Sequence, residues 1–252
     1  MVTPPAVTVI SGAASGIGRA TAARLAARGD HVALLDIDAG KLESTASSIR
    51  EAGGQAESWP VDVRDRPAVE RACAGVVEKL GAITGVFSNA GITGRQPVSA
   101  MTLAEWNAVL ETHVTGSFHL CQVALAHMVR QSRGAVVLTS SDYAVVGMRD
   151  QAHYAAAKTA LYSLTKALAL EFAPHGIRIN AVGPGPIDTP LLRAGRTAAE
   201  WEERLRLLHA RIPMGRLGRP EEVASVVEFL LSDRAAYITG QLIQPNGGQV
   251  MW

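Results

Sequence analysis

The stretch HYAAAKTA, residues 153–160, sets Tyr154 and Lys158 four residues apart in a run of alanines. Alanine has the highest helix propensity, so the run predicts a helix, and residues i and i+4 then share a face. A phenol and an ammonium held together suit acid–base chemistry. Free tyrosine titrates near about 10, and lowering that by about three units takes roughly 4 kcal/mol. A positive charge about 4 Å away, at an effective dielectric of about 20, supplies an energy of that size. Lys158 is placed to be that charge. Ser141 closes the strand-like run GAVVLTSS (134–141) and is expected to hold a carbonyl or hydroxyl oxygen. Tyr154, Lys158 and Ser141 would then form a metal-free general acid–base set for hydride transfer at a carbinol carbon. The spacing Tyr-x-x-x-Lys by itself is equally explained by a solvated helix face.

A second set of residues suits a phosphate. The run AVTVIS (6–11) leads into SGAASGIGRATAARLAARG, with Gly12, Gly16 and Gly18 ahead of an expected helix. Glycines let backbone approach a pyrophosphate, and a helix N-terminus offers free N–H groups and a positive dipole end. Ser15 and Ile17 lie in the same loop. A glycine-rich structural turn is the alternative, but a strand before and a helix after favour a nucleotide. Asp36 ends the next strand-like run, where a carboxylate would accept hydrogen bonds from an adenosine ribose and repel a 2′-phosphate. No basic residue stands at 35–38 or 13–17, which favours NAD over NADP. Asp36 could instead cap the following helix, a role open also to Asp38. Asp62, with Val63 beside it, reads equally as an adenine contact or a cap. Asn89, Ala90 and Gly91, in SNAG (88–91), read as a close approach to a cofactor or as a turn.

The elements that must position these residues follow from the pattern. Apolar runs at 6–11, 31–36, 55–61, 85–91, 134–141, 177–185 and 241–245 predict strands. Amphipathic stretches at 17–28, 38–52, 66–80, 103–131, 152–173 and 220–231 predict helices. Such alternation implies right-handed βαβ units and a doubly wound parallel sheet, an α/β fold. Its ligands lie at the carboxyl ends of the strands, where Ser141 and Tyr154 would face the same place. The segment 186–218 breaks the rhythm and is expected to be a substrate lid.

The 252 residues are 48% hydrophobic and 19% charged, with net charge +1 and no basic or acidic block. A sizeable core is expected, and electrostatic binding of nucleic acid or of an anionic membrane is not. No run approaches the roughly 18 apolar residues of a spanning helix, and the first residues lack a signal-peptide pattern. Cys73 and Cys121 form no redox or metal motif. A cytoplasmic protein without a metal is the expectation.

Taken together, SGAASGIG, SNAG, the serines before YAAAK, IRINAVGPG and GRLGRPEEVASVVEFLLSDRAAYITGQLI resemble the classical short-chain dehydrogenase/reductase family over essentially the whole chain. The resemblance implies a single Rossmann-type domain over 1–252 with seven strands in the order 3-2-1-4-5-6-7. It implies an NAD-dependent enzyme that interconverts a secondary alcohol and a ketone. Ser141, Tyr154 and Lys158 match the catalytic residues. Gly12, Gly16, Ile17 and Gly18 match the pyrophosphate loop, and Asp36 matches the NAD-selecting acid. Asp62 matches the adenine contact; Asn89, Ala90 and Gly91 flank the adenosine. Pro184, Gly185, Ile187 and Thr189 match the segment that holds the nicotinamide carboxamide. A homotetramer is implied, with interfaces on the 103–131 and 152–173 helices and the C-terminal tail.

Two positions depart from the family pattern. His113, in LETHVTGSF, stands where an asparagine holds a water that links the lysine to solvent. It could hold that water as a neutral tautomer, titrate near neutrality, or simply be packed and hydrogen-bonded. Asn246 stands where an acid is frequent, with no function attached. Val145, Val146, Met148 and Gln151, in DYAVVGMRDQAH, are expected to line the substrate pocket. Arg193, Arg196 and His209 would meet an anionic group or form a solvated helix face. The rival readings are an NADPH-dependent ketoreductase of acyl thioesters and a dinucleotide-binding sensor or scaffold that has lost turnover.

Overall fold

The computed structural model describes residues 5–251; the ends of the 1–252 domain expectation, residues 1–4 and 252, lie outside the described residues. The apolar runs form seven strands, β1 (Val7–Ser11), β2 (His31–Asp36), β3 (Gln55–Pro60), β4 (Ile83–Ser88), β5 (Gly134–Thr139), β6 (Ile177–Val182) and β7 (Leu242–Ile243). They make one parallel sheet in the order β3-β2-β1-β4-β5-β6-β7, a Rossmann arrangement. Central strands are buried along their whole length, as a sheet covered on both faces requires. Alternation along each strand sorts the core into two halves. Val9 and Leu35 point into a cluster with Val76, Leu120 and Leu161, while Ile10 and Leu34 point into one with Leu25, Leu42 and Val223. Each such side chain contributes about 1.5–3 kcal/mol when fully buried.

The covering helices are α1 (Gly16–Ala27), α2 (Ala39–Glu51), α3 (Arg66–Leu80), α4 (Leu103–Leu110), α5 (Gly116–Val129), α6 (Tyr143–Val146), α7 (Ala152–Phe172), α8 (Pro190–Arg193), α9 (Ala198–Arg211) and α10 (Pro220–Leu231). Their starts follow capping chemistry. Asp38 caps α2 by accepting from the Lys41 amide at 3.0 Å, and Asp65 caps α3 by accepting from the Ala68 amide at 3.1 Å. Both alternative cap roles, for Asp36 and for Asp62, are thereby taken by other residues.

Two expectations are revised. The helix expected over 103–131 is interrupted by a π-turn, Glu111–Thr115, closed by the Gly116 amide on the Glu111 carbonyl. The strands expected to reach 91, 141 and 185 end at Ser88, Thr139 and Val182, where the regular register stops, although single backbone bonds continue beyond it, such as the Asp142 amide to the Pro184 carbonyl at 3.3 Å. The segment 186–218 folds as the short turn α8 and the helix α9. Among the described residues, no helix is long and apolar enough to cross a membrane.

Candidate active site

The carboxyl ends of β1, β4 and β5 are tied to one another. The Ser11 hydroxyl accepts from the Asn89 and Ala90 amides at 3.0 and 3.2 Å. The Asn89 side-chain amide donates to the Gly12 carbonyl at 3.3 Å, and the Thr139 hydroxyl donates to Asn89 Oδ1 at 3.4 Å. Asn89 therefore fastens the glycine loop to the centre of the sheet. Gly12 adopts φ +67°, and a Cβ there would lie 2.9 Å from the Ala90 backbone. Gly18 is packed beneath the loop: a Cβ would lie 2.0 Å from the Gly12 carbonyl oxygen. Expected as a cofactor contact, Gly18 lies under the loop and is not on the cavity surface, because α1 must pack this closely on the chain that precedes it. The first turn of α1 has no acidic residue and Ser15 makes no side-chain cap, so its positive end opens to the cavity.

Two cavities run side by side along this edge. One, of about 580 Å³, is lined by Gly12, Ser15, Gly16, Ile17, Asp36, Asp62, Val63, Asn89, Ala90 and Gly91, together with Ile37 and Arg64. Asp36 is fixed as an acceptor: its carboxylate takes the Ala14 and Asp38 amides, both at 3.1 Å. Asp62 holds Arg64 through its backbone amide at 2.9 Å and its guanidinium at 2.6 Å, which keeps the Asp62 carboxyl low. Arg64 is the one basic residue among the described residues that line this cavity, and its charge is spent on Asp62.

The second cavity, of about 410 Å³, is lined by Ser141, Tyr154, Lys158 and His113, by Met148 and Gln151, and by Pro184, Gly185, Ile187 and Thr189. The two share Ile17, Asn89, Gly91, Thr189, Leu191 and Ala194 as a common wall. The α7 helix turns Tyr154 and Lys158 to the same side, with the Lys158 Nζ 5.3 Å from the centre of the Tyr154 ring. Lys158 is buried and donates to the Thr139 carbonyl at 2.6 Å, while its own carbonyl accepts from the Ser140 hydroxyl at 2.8 Å. Burial lowers the ammonium to about 7. Burial also raises the Tyr154 phenol above its ordinary value, with the Asp142 charge adding to the rise and a hydrogen bond with Ser141 opposing it. The expected lowering of the phenol by Lys158 is not met in the protein alone: desolvation outweighs every favourable partner and works against the lysine's own charge.

His113 is buried in the π-turn, edge-on to the Tyr154 ring at 5.4 Å between centroids. Its Nε2 meets the Ile92 backbone at both ends, 2.7 Å from the carbonyl oxygen and 3.2 Å from the amide nitrogen, and the tautomer decides which of the two bonds forms. Nδ1 is buried with no protein partner. Burial, followed by the Lys158 charge, holds the ring well below 6.5, so it does not titrate near neutrality; the expectation of a second neutral titration is corrected.

The remaining substrate residues divide. Gln151 spends both side-chain N–H groups on Thr93 Oγ1 and the Gly94 carbonyl, at 2.8 and 2.9 Å, and so tethers the 93–94 loop. Val146 is 57% exposed at the end of α6 and lies off the cavity wall; the chain turns away at Gly147, with φ +66°. Arg193 pairs with Asp188 at 2.8 Å. His209 is outside the lining, whereas Arg196 is in it. Asp142, Arg95 and Arg204, which reading the sequence did not single out, also line the cavity. Asp142 directly follows Ser141 and Arg95 stands four residues after SNAG, but a single charged residue beside a motif carries no pattern of its own, and Arg204 is far from every motif along the chain.

Cys73 and Cys121 are buried free thiols, raised to about 12 by desolvation. Among the described residues there is no group of three or more His, Cys, Asp or Glu that could hold a metal ion.

Residues 12–249 match the family model described as enoyl-(acyl carrier protein) reductase. The chain is 38% identical to a 3-oxoacyl-[acyl-carrier-protein] reductase of Thermotoga maritima, over 97% of this chain and 98% of that protein. It is 39% identical to a cis-4-hydroxycyclohexanecarboxylate dehydrogenase of Sinomonas cyclohexanicum, over 96% and 95%. The solved structure of levodione reductase superimposes with a TM-score of 0.93 at 35% identity, covering 98% of both chains.

Proposed function

Because this chain belongs to the short-chain dehydrogenase/reductase family, an oxidoreductase family of CH–OH groups that uses a nicotinamide dinucleotide, we propose that it interconverts a secondary alcohol and a ketone with NAD. The observation that carries this reading is the convergence of Ser141, Tyr154 and Lys158 on one cavity whose wall continues into the cavity of the glycine loop and Asp36.

The dinucleotide fits the residues present. Gly12 and Gly18 leave room for backbone alone, α1 presents an uncapped positive end, and Asp36 is an acceptor fixed by two amides. The nearest guanidinium, on Arg64, is neutralised by Asp62, and a carboxylate at 36 repels a 2′-phosphate; both support NAD. Pro184, Gly185, Ile187 and Thr189 would hold the nicotinamide end. Bound in its oxidised form, the cofactor supplies the hydride acceptor and a positive charge beside the phenol.

Each residue then has a task. Ser141 Oγ holds the substrate oxygen. Tyr154 Oη gives its proton to that oxygen in reduction and takes it back in oxidation. The raised phenol is protonated at neutral pH, the form that reduction needs. Lys158, fixed on the Thr139 carbonyl, favours the phenolate when it is protonated. His113 anchors the 92 backbone beside this set. The whole chain is read as one Rossmann-type dehydrogenase domain, with 186–218 as the lid that contributes Leu191, Leu192 and Arg196 to the cavity. Phe118, 43% exposed on α5, and the groove it forms with Ala160, Leu164 and Ala167 on α7 support assembly through these helices into a homotetramer.

The test is reduced-nicotinamide absorbance across a panel of secondary alcohols and ketones, with NAD and with NADP and with Tyr154→Phe as control. Turnover confined to NAD and lost in the control is expected; activity retained in the control overturns the role of Tyr154. A second reading, reduction of an acyl thioester, is favoured by relatives named as 3-oxoacyl-[acyl-carrier-protein] reductases. Turnover of 3-oxoacyl thioesters with NADPH, faster than of any free ketone, would establish it in place of the first. The sensor reading has no support from the site, where all three catalytic residues share the cavity.

A further inference from the structure

Three guanidinium groups from separate parts of the chain line the cavity that holds Tyr154: Arg95, after β4; Arg196, between α8 and α9; and Arg204, on α9. Their pairing differs from that of their neighbours on the lid. Arg193 is bound to Asp188 at 2.8 Å and stacks over the Trp201 ring at 4.9 Å, and Arg206 is bound to Glu203 at 2.7 Å. Neither Arg196 nor Arg204 has a carboxylate within 4.0 Å among the described residues, and Arg95 reaches Asp150 only at 4.0 Å.

The local geometry leaves donors open. Arg196 Nη1 donates to the Leu192 and Ala194 carbonyls at 2.5 and 3.2 Å, which anchors the stem and leaves the rest of the guanidinium fork. Arg204 acts on the Tyr143 hydroxyl, and its Nε is buried with no partner. A buried N–H left unmet costs free energy that a ligand acceptor recovers. Arg196 is disfavoured first by burial, then by the like charges of Arg95 and Arg204. Such a cluster asks for an anion.

The acids that face it are few. Asp150 stands at the edge of Arg95. Glu200 acts on Arg196 and Arg95, but its Oε2 is occupied by the Thr197 amide and hydroxyl at 2.8 and 2.9 Å. Asp142 takes the Ser141 hydroxyl, and the arginine that acts on it is Arg211. Of these acids only Asp142 is on the cavity wall, where it is engaged by Ser141, so the guanidinium groups keep unpaired donors toward the cavity, which a monoanion such as a carboxylate would meet.

We propose that Arg95, Arg196 and Arg204 are the receptor for a carboxylate on the substrate, which is a small hydroxy acid or the corresponding oxo acid. This rests on the alcohol–ketone reading of the same cavity. Met148, Leu191 and Leu192 supply an apolar surface for the body between the carboxylate and the carbinol carbon. Arginine's planar fork suits a carboxylate in two parallel hydrogen bonds.

The test is binding to the full chain with NAD present, by ligand-observed NMR, of cyclohexanecarboxylate, its primary amide and inorganic phosphate. The acid is expected to bind about tenfold or more tighter than the amide, a loss typical of removing one charged hydrogen-bond partner. Arg95→Gln with Arg204→Gln is expected to erase the difference, and Arg204→Lys alone to keep part of it; circular dichroism reports that each variant is folded. Equal binding of acid and amide, binding of neither, or a preference that survives the double variant overturns the proposal. Phosphate competing as well as the carboxylate overturns the monoanion assignment. Turnover is read separately on hydroxy acids and neutral alcohols. Neutral alcohols as the better substrates by kcat/KM overturn the carboxylate receptor and leave the oxidoreductase reading intact. The reverse result, acid-selective binding with no turnover of any alcohol, supports the receptor and counts against that reading.

Discussion

The Ser141 hydroxyl donates to Asp142 Oδ1 at 3.0 Å, and the Tyr143 amide donates to Ser141 Oγ at 3.2 Å. Ser141, on the cavity wall, is thus oriented by a buried carboxyl group whose other oxygen, Oδ2, has no protein partner. Burial raises this acid to about 6, and its charge helps to raise Tyr154.

Asp142→Asn keeps an acceptor for Ser141 and removes the charge. A carboxyl raised above its unfolded value contributes stability that is full below about 4 and lost as pH rises through about 6. The variant is therefore expected to be more stable than the parent by about 3 kcal/mol well above pH 6, with the gain fading toward pH 4. Denaturant unfolding at the two pH values checks this. With less negative charge beside the phenol, the pH profile of alcohol oxidation should move to lower pH; a profile that does not move excludes coupling of Asp142 to Tyr154.

Tyr154→Phe is expected to lower turnover about a hundredfold or more, the usual loss when a positioned acid–base group is removed. Cofactor affinity should change little, since the glycine loop and Asp36 are untouched. Fluorescence titration of NADH beside steady-state kinetics separates the two effects.

His113 and Gly91 share one space. A Cβ on Gly91 would lie 2.2 Å from His113 Cε1. Gly91→Ala should cost about 1–3 kcal/mol through overpacking, and adding His113→Asn should recover much of that cost, a coupling that a double-mutant cycle measures. His113→Asn alone also has a pH signature. A histidine held below 6.5 is neutral in the fold while the unfolded chain takes up a proton, so the parent loses stability as pH falls below about 6.5. The variant should lack that loss, and its rate profile between about pH 6.5 and 8 should match the parent's.

Asp36→Ala removes the acceptor from the end of β2 and frees the Ala14 and Asp38 amides. NAD should bind about tenfold more weakly, while NADP, relieved of a like charge, should lose less or gain. A ratio of kcat/KM for the two cofactors that stays unchanged would remove Asp36 from cofactor selection.

The architecture was legible because each strand is a short apolar run and each run is followed by a helical period. Strand ends were read too far along, since SNAG, TSS and AVGPG stay small or apolar after the last ladder partner at Ser88, Thr139 and Val182. The motif positions also lie together in the fold: Ser141, Tyr154, Lys158 and the glycine loop line adjoining cavities at one edge of the sheet. What the one-dimensional pattern lacked was environment. It placed Lys158 near Tyr154 but carried no measure of the desolvation that acts on both. It could not join Arg95 to Arg204, because a lone arginine on an amphipathic helix such as α9 has the same pattern whether it meets water or a cavity.

The π-turn at Glu111–Thr115 puts one more residue into a helix that otherwise keeps its α-period on either side. Each residue turns an α-helix by about 100°. A π-turn takes up its extra residue in one wider turn, so the halves on either side keep nearly the phase of an unbroken α-helix. Deleting a single residue between Leu110 and Gly116 would let the turn close to an α-period with Val109 and the row Leu120, Cys121, Ala124, Leu125 and Met128 still facing the interior. The core on both sides is therefore indifferent to the extra residue. What the wider turn changes is local: the position of His113 against the Tyr154 ring.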